Sequence, residues 1–152
     1  DSTSIIAKGI HLMGYDQTEG RNKANRAYKS TLPTGVEAPG EILLQGDGFL
    51  DAAELVEKYP GDFIGLPILV EGFTCYPSGA SGSLVVARFV LYHCAADIRA
   101  VGVVIKLEDL PAPPPDLWVS VEGILSSTER GLVVKAGKIS LVDRPARGYI
   151  YP

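Results

Sequence analysis

A mainly β fold is predicted by three features of the 152-residue chain. From residue 66 onward, five apolar runs of strand length follow one another. The first two are joined by residues 77–83, a Pro, Gly and Ser-rich hairpin connection. The third and fourth are joined by residues 108–116, whose prolines at 111, 113, 114 and 115 forbid a normal α-helix. Five strands with one non-hairpin connection predict an OB-like five-stranded barrel, small and partly open. A β-sandwich is the rival arrangement. Residues 1–48 are expected to form an N-terminal extension, partly flexible, and 49–152 the barrel domain. One short helix near their junction is expected to cover an open edge or end of the barrel.

The elements follow in order. Residues 4–13 are apolar, with a period that fits either strand or helix. Residues 14–40 are rich in Gly, Pro and polar groups and read as a loop. Arg21, Lys23, Arg26 and Lys29 lie within it as a basic patch or a solvated face. Residues 41–45 read as a short strand, followed by a Gly46-Asp47-Gly48 turn. Asp51 and Glu54 have the spacing of a capping box, which starts a helix over 52–59. That helix places Leu55, Val56 and Tyr59 on one face, and Pro60-Gly61 stops it.

Strands are then expected over 68–76, 84–94, 100–107, 117–126 and 131–142. Both faces of 84–94 are largely apolar, which marks a central or barrel strand. Gly72 and Gly123 share a Val-Glu-Gly context and are expected to relieve crowding where strands coil around the barrel. In a hairpin through 77–83, Cys75 opposes a residue near 85. Cys94 then lies roughly 30 Å further along, too far for a disulfide or a shared metal site.

Composition excludes several classes. The chain is too apolar for a disordered protein and has only two cysteines, too few for a disulfide scaffold. No apolar run is long enough to span a bilayer. The net charge of −4 disfavours a whole-domain grip on nucleic acid. The chain opens on Asp1 without an initiator Met, the pattern of a processed or trimmed chain. Nucleotide-binding, serine-hydrolase and zincin motifs are absent, and no enzyme is expected.

The densest chemical segment is Tyr92-His93-Cys94-Ala95-Ala96-Asp97. If the strand ends there, a turn can bring the Cys94 thiolate and the Asp97 carboxylate together, with His93 beside them. Zinc accepts S, N and O donors of this kind but wants three or four, so His11 or Asp109 would have to contribute. A buried structural Cys is the plainer alternative. As an OB-type barrel, the domain would also suit an oligonucleotide or oligosaccharide, with Phe73, Arg88, Tyr92 and Trp118 as a stacking surface or as core.

The order of motifs over residues 49–152 resembles a known family. A short helix and Tyr-Pro-Gly lead into Ile-Leu-Val-Glu-Gly-Phe, then Arg88-Phe89 and Cys94-Ala95-Ala96-Asp97. Val101-Gly102-Val103, Trp118-Val-Ser-Val-Glu-Gly123 and a closing Gly148-Tyr-Ile-Tyr-Pro152 follow. This is similar to the soluble C-terminal domain of the YcgQ-like permease-subunit family, a DUF1980-type domain. The family carries Cys-Cys before Ala-Asp, where this chain has His93-Cys94. The resemblance implies a membrane-anchored accessory subunit beside a membrane permease. It marks Arg88, Phe89 and Cys94 to Asp97 as an interaction motif.

Overall fold

The computed structural model describes residues 9–17 and 30–152. The basic residues Arg21, Lys23, Arg26 and Lys29 lie outside them. In chain order the elements are β1 (Ile10–Leu12), β2 (Ile42–Leu44), α1 (Phe49–Lys58) and β3 (Pro67–Cys75). Then come β4 (Leu84–Leu91), β5 (Ile98–Lys106), β6 (Trp118–Thr128), β7 (Gly131–Leu141) and β8 (Tyr149–Ile150).

Strands β3 to β7 close on themselves in the order β3-β4-β5-β7-β6-β3. All neighbours are antiparallel except β5 and β7, which meet in parallel. That parallel seam pairs only Ile105 with Val134 and Lys106 with Lys135. The barrel is therefore the OB-like, partly open one that the sequence predicts. The β3–β4 hairpin has the expected register, with Cys75 opposite Val85.

Alternation along each strand sends every second residue inward. Val70, Val86, Val90, Val103, Val119 and Val121 are buried in one apolar cluster. The outer side of β3, β4 and β5 is buried too. There Phe73, Cys75, Val85, Ala87 and Val104 pack with Ile10 and Leu12 of β1. β1 lies parallel to β5, with Ile10 opposite Ala100. This second layer is why both faces of β4 are apolar. β2 runs parallel to the first half of β3, on the edge opposite β6, with Ile42 opposite Ile68.

Two glycines let the strands cross closely. A Cβ at Gly72 would lie 2.4 Å from the Ala87 carbonyl oxygen, and one at Gly123 only 2.2 Å from the Lys135 carbonyl oxygen. Gly123 also follows a bulge in the β6–β7 ladder. Bulges and glycines together bend a strand around a small barrel.

The proline-rich connection is not helical. Glu108 and Asp116 near its ends take positive φ, at 55° and 63°. Thr74, fully buried on β3, holds it down. Its hydroxyl donates to the Pro114 carbonyl at 2.7 Å and accepts from the Leu117 N–H at 3.0 Å. The Tyr76 hydroxyl donates to the Pro113 carbonyl.

The helix and one strand differ from the sequence-based expectation. α1 begins at Phe49 rather than Ala52, and its N-cap is Gly48, with no side-chain cap. Asp51 and Glu54 form no capping box, because the 3-10 turn Gly46–Gly48 already delivers the chain into helical geometry. Asp51 instead lies in the first turn, where its charge suits the helix dipole. The earlier start fixes the buried stripe as Phe49, Leu50, Ala53 and Val56, while Leu55 is 41% exposed. That stripe joins the barrel core, and Pro60 opens the 3-10 turn that ends the helix. β4 stops at Leu91, not Cys94. There the chain leaves the ladder for the 3-10 turn Ala95–Asp97, in which the Asp97 N–H donates to the Cys94 carbonyl at 2.8 Å.

Two substitutions test this construction. Gly72→Ala forces a Cβ against backbone and is expected to cost about 1–3 kcal/mol. Thr74→Val removes both hydrogen bonds to the part-buried connection and costs about 0.5–1.5 kcal/mol for each. Gly40→Ala, in open space, should change stability by no more than about 0.5 kcal/mol. Urea midpoints at unchanged m-value measure all three.

Candidate functional site

The chemical segment that follows β4 lies on the surface. His93, Cys94 and Ala96 are exposed, and Tyr92 is 46% exposed. Asp97 is half-buried as the chain enters β5. This display follows from the local sequence. After Leu91 the apolar alternation fails, small residues permit a tight turn, and β5 pairing resumes at Ile98.

The two cysteines are free and differ in environment. Burial pushes the Cys75 thiol up to about 12, with the Asp116 charge adding to it. It is a core residue and remains a thiol at neutral pH. Cys94 is exposed. Among the described residues, no group of three or more His, Cys, Asp or Glu is gathered closely enough to hold a metal ion. His93, Cys94 and Asp97 are not brought together as one such set.

The turn borders a groove of about 480 Å³ between β1, α1 and the start of β5. Tyr92 and Arg99 line one side, His11 and Gln17 another, and Glu54 and Glu57 of α1 a third. His11 Nε2 lies 2.8 and 3.0 Å from the two Glu57 carboxylate oxygens and donates to them. The Gly14 N–H donates to the same carboxylate at 2.6 Å. These bonds tie the N-terminal strand to the helix across 46 residues of sequence. Neither partner's role is legible in the sequence. His11 enters there only as a remote metal donor, and Glu57 not at all.

The Glu57 hydrogen bond raises the His11 pKa above its ordinary value; burial opposes this, and the Glu57 and Glu54 charges add to it. Burial pushes Glu57 up, but bonds from His11 and the Gly14 N–H, with the His11 charge, outweigh it and hold the carboxyl low. The two shifts favour the charged form of each partner.

The residues considered as a stacking surface do not form one platform. Phe73 meets Phe89 at 4.6 Å and Trp118 at 6.1 Å between ring centroids, and Arg88 lies over Trp118 at 5.2 Å. Phe73 and Arg88 are buried, at 5% and 3% exposure. Tyr92 lines the groove instead. The Arg88-Phe89 half of the motif thus belongs to packed barrel wall and its 92–97 half to the surface.

Linkage fixes the pH behaviour of the His11–Glu57 pair. The raised His11 pKa gives stability that is complete below its ordinary 6.5 and is lost as pH rises through the folded value. The lowered Glu57 pKa gives stability present above its ordinary 4.5 and lost as pH falls through the folded value. The pair supports the fold most between those ordinary values. His11 is exposed, so His11→Gln should cost only ~0.2–1 kcal/mol near pH 5.5 and less near pH 9. Denaturation at both pH values measures it, and an equal loss at the two would contradict the ion pair.

Comparison with known proteins places the chain. The family model of the DUF1980 C-terminal domain matches residues 19–152, starting well before residue 49 and so taking in β2 and α1. The chain is 31% identical over 119 residues to the UPF0703 protein YcgQ of Bacillus subtilis (strain 168). That alignment covers 73% of this chain and 41% of the relative, so the chain spans less than half the relative's length. Among the described residues, no helix is long and apolar enough to cross a membrane. With its barrel, its helix and its Cys-Ala-Ala-Asp turn inside the match, the chain belongs to the DUF1980 family, as the C-terminal domain of that family.

Proposed function

We propose that this domain is a non-enzymatic docking module, the soluble part of a membrane-anchored accessory subunit that binds and regulates a partner permease. One observation carries the reading. Of the motif that carries the family resemblance, Cys94 and Ala96 are exposed beside the exposed Tyr92 and His93, while Arg88 is buried in the strand before them. Exposed Tyr, His and Cys beside a groove suit contact with another surface. Tyr92 supplies an amphipathic anchor with few rotamers to freeze. Glu54 and Glu57 line the adjoining groove, and Arg99 and His11 line it with them. Arg99 offsets Glu54 and His11 pairs with Glu57, so the partner loop is anchored by Tyr92 rather than steered by charge. The resemblance supplies the permease as the bearer of that loop.

Tyr92→Ala in the full-length protein should weaken co-purification with the co-expressed permease by on the order of tenfold or more, as loss of a central interface anchor does. The exposed His93→Ala should weaken it less. Both should leave the domain's stability within about 0.5 kcal/mol of wild type. Undiminished permease recovery with Tyr92→Ala would contradict this docking surface.

A further inference from the structure

Arg88 is a charged residue in an apolar strand. It lies on the face of β4 that also carries the core residues Val86 and Val90, and only 3% of it is exposed. Its guanidinium stacks over Trp118 at 5.2 Å. Stacking satisfies the face of the group but not the donors in its plane. Nε is buried without a hydrogen-bond partner, and among the described residues no carboxylate forms an ion pair with Arg88. Burial lowers its basicity, while the charges of Asp47 and Glu71 act from a distance to keep the cation. A buried guanidinium with an open donor is costly to the fold, and a ligand's acceptor would complete it.

The space for that ligand is present. Arg88 and Trp118 line a cavity of about 300 Å³, with Asp47, Glu71, Asp143 and Arg147 around it. This cavity shares no lining residue with the His11 groove. The guanidinium fork matches a carboxylate in two parallel hydrogen bonds. The lining itself holds three carboxylates against two guanidinium groups, a formal charge of −1. A bare anion would satisfy Arg88 but add to that surplus, and a phosphate dianion would add most. A carboxylate that brings its own ammonium adds nothing. The volume is that of a small-molecule site at the lower end of the usual ~300–1,000 Å³ range.

We propose that this cavity binds a small zwitterion of the α-amino-acid class, its carboxylate on the Arg88 guanidinium and its ammonium against Asp47 and Glu71. The site is separate from the proposed docking surface, and its test does not involve the permease. The purified domain is melted with each of the twenty α-amino acids, with acetate and with inorganic phosphate. At least one amino acid is expected to raise the melting midpoint saturably, by several degrees. Acetate should do so more weakly and phosphate not at all. Arg88→Met should abolish the shift. Without ligand it should melt no lower than wild type, because it removes an unpaired buried charge. Arg88→Lys, which keeps the charge and loses the fork, should weaken binding about tenfold, the loss of one charge-assisted hydrogen bond. Glu71→Gln should weaken the amino acid but not acetate. Four results would each overturn the proposal: no amino acid moves the midpoint; the shift survives in both Arg88 variants; acetate or phosphate acts as strongly as any amino acid; or Arg88→Met alone melts well below wild type, which would mean that Asp47 or Glu71 already pairs with the cation.

Discussion

Closing five strands into so small a barrel is the constraint on which the rest of the molecule depends. Strand backbones must cross within contact of one another, and at Gly72 and Gly123 no side chain fits between them. Once the strands coil, the interior fills with valine, leucine and isoleucine at close-packed density. The parallel seam between β5 and β7 stays short, only two residue pairs long. The open part must be covered by something else. α1 does part of this by putting Phe49, Leu50, Ala53 and Val56 into the same apolar cluster as the strands. β1 pairs with the stretch of β5 that β7 leaves free, and Thr74 pins the proline connection along β3.

The surface features follow from that construction. β4 and β5 are long and buried, so the residues between them must turn in a few steps at the barrel's end. Tyr92 to Asp97 make that turn and are held out from the wall. β1 lies beside β5 and α1 packs on the core, so the groove under the turn is walled by three elements distant in sequence. His11 and Glu57 fasten two of them together. A groove whose walls are tied by an exposed ion pair can adjust to a partner at little cost, since such a pair contributes only ~0.2–1 kcal/mol. The Arg88 cavity is different in kind, because a buried, stacked guanidinium offers a fixed geometry for a small ligand.

Much of the barrel was legible in the sequence because its signals are local. Strand alternation, the Gly-Ser hairpin, the proline run and the Val-Glu-Gly crossings each act over a few residues, and together they specify the topology. The Cys75 register was readable for the same reason, because the turn length sets it. What was not legible depends on partners far apart in the chain. The helix start was misplaced because a 3-10 turn replaced the side-chain cap that Asp51 and Glu54 suggested. The strand after Leu84 was drawn too long because Tyr92, His93 and Cys94 fit an alternating pattern, although they make the turn. The His11–Glu57 tie spans 46 positions and leaves no local trace. Arg88 reads in sequence as part of a stacking surface or of the core, and only the three-dimensional packing reveals a buried cation against Trp118.

The central claim is that the 92–97 turn and the groove beneath it form the contact surface of this domain. The most direct measurement is amide hydrogen exchange across the full-length protein, alone and with the proposed partner permease, in the same detergent. The account predicts new protection confined to residues 92–99, β1 and the outer side of α1, with the β6–β7 hairpin unchanged. Protection centred on that hairpin, or none anywhere in the domain when the permease is bound, would contradict it.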